Sequence, residues 1–338
     1  MGTLILQKDK LKDFLSSLDE YTLWAPVQKD TITLFEVIKD PKNVSLDLKH
    51  QAKIPKEAVF PQTELLFSFD KDGIIKKTDS REMKESIVFG IRPCDARSFL
   101  ILDPVFEGAI PDPYYLSRRN KAILVGLTCT EPFSNCFCTS LGGNPFSQKG
   151  LDLIFTELNG KFYVEVVTEK GKKIIDKTSS LFTAASTEDT KQREELAQAS
   201  ESKIKRQINL NGIPEKLAMI FEHPFWKQIA TKCIGCGICT YTCPTCYCFD
   251  IQDEPTLRKG RRVRIWDSCM FGEYTLHASG HNPRPTRAER LKNRIYHKFK
   301  FNVDNFGVPG CVGCGRCISL CPFNVDLIES LSAIKSIE

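Results

Sequence analysis

Fifteen of the 338 residues are cysteine, and eight of them stand in two copies of one spacing. The stretch "CIGCGICTYTCP" sets Cys233, Cys236, Cys239 and Cys243 at C-x2-C-x2-C-x3-C-P, and "CVGCGRCISLCP" repeats it with Cys311, Cys314, Cys317 and Cys321. This is the bacterial ferredoxin run, in which three thiolates of one run and the fourth of the other hold a single cubane. The expected ligand sets are therefore Cys233, Cys236, Cys239 and Cys321 for one 4Fe-4S cluster, and Cys311, Cys314, Cys317 and Cys243 for a second. Zinc ribbons also use C-x2-C pairs, but a duplicated run of four cysteines closed by proline is not a zinc spacing. Glycines beside the ligands let the backbone wrap closely round a sulfur-rich group. Pro244 and Pro322 then bend the chain away.

Four further cysteines lie far upstream: Cys94 in "RPCDA", and Cys129, Cys136 and Cys138 in "CTEPFSNCFC". Roughly ninety residues without a cysteine separate them from the ferredoxin runs, which suggests two metal-bearing modules. "SIVFG" (86–90) and "AILVGL" (122–127) read as short apolar strands, with helical patterns between them, so the segment has the form of a βαβ unit. If the strands are parallel neighbours, Cys94 and Cys129 sit at the same carboxyl edge of the sheet, where open α/β sheets place ligands. The expectation is a third 4Fe-4S cluster on Cys94, Cys129, Cys136 and Cys138. A structural zinc in a four-thiolate tetrahedron is the main competitor, and unliganded core cysteines the bland reading.

Cys246, Cys248 and Cys269 are left over, and they read as buried packing residues round the clusters. Three cysteines with His277, His281 or His297 could ligate another centre, but "CPTCYC" follows directly on a ligand loop and is crowded. The ferredoxin core is opened by an insertion, 244–310, that holds the arginine-rich stretches "RKGRRVRIWDSC" and "HNPRPTRAERLKNRIYHKFK". Those arginines would offset cluster charge, dock an acidic partner, or form a solvated helix face. A nucleic-acid role fits poorly. The formal charge of +5 counts every thiol as neutral, and three cubanes at about −2 each would bring the chain to about −1.

The elements that must position these residues read as α+β. A mixed α/β domain (1–185) with the third metal site is followed by a linker and helical segment (186–225). A helical, bacterial dicluster ferredoxin-like domain (226–338) carries the insertion at 244–310. Around Asn159-Gly160, "LDLIFTELNGKFYVEVV" alternates as a hairpin does, while 186–205 is polar and charged, fit for a linker or an exposed helix. Hydrophobic content of 41% with 26% charged residues suits a globular protein, with no signal-peptide pattern and no run near the ~20 apolar residues of a membrane span. A cytoplasmic protein without membrane insertion is expected.

Taken together, "FGIRPCDARSF", "TCTEPFSNCFC", "CIGCGICTYTCPTCYCFD", "WDSC" and "CVGCGRCISLCP" resemble the iron–sulfur subunit family that includes sulfhydrogenase beta subunits and their counterpart in anaerobic sulfite reductase. The likeness is carried from about residue 80 onward. It implies an electron-transfer component of an anaerobic oxidoreductase complex, with no substrate site of its own. Such a component relays electrons between a flavoprotein that binds FAD and NAD(P)H and a catalytic subunit of hydrogenase or sulfite reductase type. The absence of G-x-G-x-x-G and of a P-loop lysine motif agrees with a chain that binds no dinucleotide. Two alternatives remain: an iron–sulfur oxidoreductase with its own flavin or disulfide chemistry, and a non-redox, metal-stapled binding protein.

Overall fold

The computed structural model describes residues 2–47, 54–77, 83–256 and 258–337. Two compact units divide the chain, and they do not follow sequence order. The first unit takes residues 1–60, 80–134 and 142–205, and the second takes 61–79, 135–141 and 206–338. The stretch read as a linker is thus split. Its first part is the helix Thr187–Ser202 of the first unit, started by a capping box between Ser186 and Asp189.

The first unit contains β1 (Thr3–Gln7), β2 (Thr22–Lys29) and β3 (Ile32–Val37). After β4 (Thr63–Asp70) and β5 (Gly73–Lys77) of the second unit, it resumes with β6 (Ser86–Ile91), β7 (Ala122–Leu127), β8 (Leu153–Leu158), β9 (Lys161–Val166) and β10 (Phe182–Ala184). These form one sheet in the order β10-β1-β9-β8-β7-β6-β2-β3. β6 and β7 are buried at every position, as parallel strands covered on both faces must be, which is why they read as unbroken apolar runs. They pair in parallel with Ser86 opposite Ala122. Between them run the helices Pro93–Glu107 and Pro113–Lys121. The first begins on Pro93, whose preset φ suits a first turn, and runs to Glu107. The second is capped by Asp112, whose carboxylate accepts from Tyr114 N and Tyr115 N at 3.0 and 2.9 Å. The β8–β9 hairpin turns on Asn159-Gly160, both at positive φ (33° and 84°), the geometry that this pair favours. Phe89, Val125, Phe155 and Phe162 form the centre of its core.

The second unit is an antiparallel sheet together with a helical core. β11 (Phe249–Pro255) and β12 (Lys259–Trp266), both from the insertion, join β4 and β5 in the order β11-β12-β4-β5. Arg261, Arg262 and Arg264 of "RKGRRVRIW" are strand residues, and their charges meet carboxylates across the sheet. Arg262 donates to Asp253 at 2.7 and 2.6 Å, Arg261 pairs with Glu254, and buried Arg264 pairs with Glu64 of β4. Trp226, Ile295, Tyr296, Phe299 and Leu331 fill the helical core, where Trp226 Nε1 donates to the carbonyl of Ile220 at 2.8 Å.

Candidate metal centre

The two ferredoxin runs fold alike. In each, the second and third cysteines are separated by a left-handed glycine, Gly237 (φ 76°) or Gly315 (φ 71°), that caps a single helical turn, Ile238–Tyr241 or Arg316–Ser319. One residue before the second cysteine stands another left-handed glycine, Gly235 or Gly313. The alternation curls each run round its thiols, which any β-carbon at these φ values would resist. Backbone N–H groups point at sulfur as well: Gly313 N donates to Cys311 Sγ at 3.4 Å and Val325 N to Cys321 Sγ at 3.3 Å.

Two cavities result, and each is lined by the first three thiols of one run together with one or two from the other. Cys233, Cys236, Cys239 and Cys321 line the first, roofed by Met270 and Leu291. Cys311, Cys314, Cys317 and Cys243 line the second, beside Phe137 and Leu327. Cys317 and Arg294 border both. Cys236 is exposed, whereas Cys243 and Cys311 are buried. Burial pushes the Cys239 and Cys311 thiols up to about 11, against the pull of Arg294 on the first and Lys298 on the second.

Arg294 and Lys298 are the features that the spacing did not announce. Both are buried, in a helix that starts at the capping box of Thr286 and Glu289 and runs from Arg287 to Tyr296. It continues through a π-helical turn, His297–Phe301. Such turns shift side chains round the helix and gather at functional sites. Lys298 Nζ lies 3.2 Å from Cys243 Sγ, 3.1 Å from Thr245 Oγ1 and 2.9 Å from the Gly310 carbonyl. Burial opposes its charge, but the sulfurs of Cys243 and Cys246 outweigh that and hold its pKa above the ordinary lysine value. Buried cations without nearby negative charge are costly. Four thiolates round an iron–sulfur cubane supply that negative charge, and soft sulfur donors are what such a cubane takes, so the residues present fit the group. The helix read as either a charge-offsetting or a solvated face is therefore buried on its cationic side.

Of the upstream cysteines, Cys94 and Cys129 belong to the first unit and Cys136 and Cys138 to the second. Cys94 stands in the first turn of the helix after β6 and Cys129 two residues past β7, so both follow the carboxyl ends of neighbouring parallel strands. Arg92 Nη1 lies 3.7 Å from Cys129 Sγ, and its guanidinium stacks 4.5 Å over Phe133. In the second unit, residues 135–138 lie along the second ferredoxin run. Phe137 N donates to the Gly313 carbonyl at 2.9 Å, Cys136 Sγ approaches the Cys314 carbonyl at 3.5 Å, and Asn135 Nδ2 donates to Ser319 Oγ at 3.1 Å.

Residues 232–325 match the family described as a 4Fe-4S dicluster domain. The chain is also 32% identical, over 333 residues, to the sulfhydrogenase 2 subunit beta of Pyrococcus furiosus. That alignment covers 98% of this chain and 97% of the relative. The chain belongs to the iron–sulfur beta-subunit family of sulfhydrogenases. It is an iron–sulfur electron-transfer subunit carrying 4Fe-4S clusters in its dicluster domain. The likeness reaches past the motifs into the first seventy residues, which carry no cysteine, so the fold of the first unit is part of it. Among the described residues no helix is long and apolar enough to cross a membrane.

Of the leftover cysteines, Cys269 lies in the helical core, Cys248 packs against that core, and Cys246 is buried, as packing residues round the clusters would be. Cys246 hydrogen-bonds with Cys243, which draws the Cys243 thiol well down, and Cys248 hydrogen-bonds with Cys269. The His297 ring nitrogen meets the Tyr247 hydroxyl at 2.9 Å. His277 and His281 pack ring against ring on an exposed turn.

Proposed function

We propose that the chain relays electrons between a flavoprotein subunit that binds FAD and NAD(P)H and a catalytic subunit of hydrogenase or sulfite reductase type. In this reading Cys233, Cys236, Cys239 and Cys321 hold one 4Fe-4S cluster, and Cys311, Cys314, Cys317 and Cys243 hold the other. The supporting observation is that the two thiol-lined cavities share Cys317 and Arg294 in their walls, so two one-electron centres would be neighbours. A 4Fe-4S cluster held there takes up and gives back one electron at a time.

The protein supplies the rest. Arg294 and Lys298 offset negative charge from inside, while Phe137 and Leu327 keep water from the second cavity. Exposed Cys236, with exposed Ile234 and Phe323, leaves the first cavity open to a partner. On chain spacing alone, the upstream quartet Cys94, Cys129, Cys136 and Cys138 carries the further proposal of a third 4Fe-4S cluster, with zinc as its competitor.

The test is anaerobic reduction followed by visible absorbance and paramagnetic resonance. Reduced nicotinamide should bleach the chain only when the flavoprotein is present. Bleaching of the chain alone would replace the relay with an oxidoreductase that carries its own flavin.

A further inference from the structure

Cys248 and Cys269 line neither thiol-lined cavity, yet Cys248 packs against the core cluster that holds Cys269. The register of β11 on β12 sets Phe249 opposite Trp266, so Cys248 stands at the open end of the hairpin, where its carbonyl accepts from Asp267 N at 3.0 Å. The chain then turns at Ser268. This brings the thiol and the backbone N–H of Cys269, together with the Tyr274 hydroxyl, onto the sulfur of Cys248. Cys269 is buried and Cys248 half-buried, which shields the pair from bulk thiols.

The turn that carries Cys269 is also the wall of the first cavity. Ser268 Oγ lies 2.8 Å from Thr240 Oγ1, next to Cys239, and Met270 lines the cavity beside Cys233, Cys236 and Cys239. A β-carbon on Gly237 would meet the Phe271 ring at 2.7 Å, so the turn is pressed against the ligand loop.

We infer that Cys248 and Cys269 form a redox-active dithiol that stores two electrons beside the first cluster cavity. The inference rests on the electron-relay reading for the source of its electrons. In the reducing direction the Cys248–Cys269 sulfur–sulfur bond breaks. Cys248 and Cys269 would take up two electrons, one from each 4Fe-4S cluster held by the ferredoxin thiols, and two protons from solvent, admitted beside the half-buried Tyr274, would complete the two thiols. In reverse, the dithiol loses two electrons and two protons and the bond forms. The pair thereby converts one-electron steps into a two-electron exchange.

The test uses the anaerobically purified full-length holoprotein without partners, so that a failed relay and a failed dithiol are told apart. After diamide treatment, peptide mass spectrometry should find residues 248 and 269 joined. Coulometric reduction by a low-potential viologen should then consume two more electrons per chain in the wild type than in Cys269→Ser or Cys248→Ser, with iron content equal in all three. Free alkylation of both thiols after diamide would overturn the inference, as would equal electron counts. Loss of iron in either variant would also overturn it, by making these cysteines cluster ligands.

Discussion

Lys298 is a single charge whose consequences can be worked out. Its ammonium lies 3.2 Å from Cys243 Sγ inside the protein, and a buried positive charge beside a cluster favours the reduced, more negative state. Replacing it by methionine keeps the bulk and removes the charge. At an effective dielectric of about 20 and a separation of ~6 Å, one charge is worth roughly 3 kcal/mol, on the order of 100 mV for one electron. Lys298→Met should therefore lower the potential of the cluster held by Cys311, Cys314, Cys317 and Cys243, with iron retained, in a potentiometric titration followed by paramagnetic resonance. An unchanged potential would remove Lys298 as the charge that tunes that cluster. Nothing in "IYHKFKF" marks this lysine as buried. Its neighbour Lys300 pairs with Asp304 near the surface, and the π-helical turn decides which of the two faces inward.

At the scale of elements, the close approach of 135–138 to the second ferredoxin run depends on Gly313. A β-carbon there would stand 2.7 Å from Cys138 Cα, Cys138 N and the Phe137 carbonyl carbon, all backbone atoms that cannot swing aside. The residue also sits at φ 68°. Gly307, at φ 73° with open space round it, is the natural control. Gly307→Ala should cost about 1 kcal/mol, the left-handed backbone penalty alone. Gly313→Ala adds overpacking and should cost roughly 3 kcal/mol, with a matching fall in the denaturant midpoint and easier iron loss to a chelator. Equal costs at the two sites would mean that the 135–138 segment does not press on the run. The same scale explains the insertion. Its first arginine-rich stretch is one strand of a hairpin whose charges are met by Asp253, Glu254 and Glu64, and the last of these lies two hundred residues upstream. The carboxylates that meet Arg261, Arg262 and Arg264 were not visible from the run of basic letters.

For the whole molecule, the cluster inventory is the decisive quantity. Eight ferredoxin thiols hold about eight iron atoms, and a third cubane on the upstream quartet raises that to about twelve. Elemental analysis of anaerobically purified protein should approach twelve with little zinc, and Cys136→Ala should lower it by about four. A value near eight with one zinc would assign the upstream thiols to zinc. Full iron in Cys136→Ala would free that residue from ligation, and at most ~1 kcal/mol of packing would then be lost.

The ferredoxin spacing by itself determined the dicluster domain, because a cubane demands four thiolates at fixed reach and few other centres use that repeat. The apolar runs at 86–90 and 122–127 likewise marked two strands of a βαβ unit, and the structure then paired them in parallel, buried on both faces. Tertiary structure alone decided that 61–79 and 135–141 join the second unit rather than their neighbours in sequence. It also decided that Lys298 and Arg294 turn inward and that Cys248 meets Cys269. The physical reason is range. Ligand spacing and strand periodicity are local in the chain, whereas burial of a charge and the meeting of two thiols depend on partners brought together from distant segments.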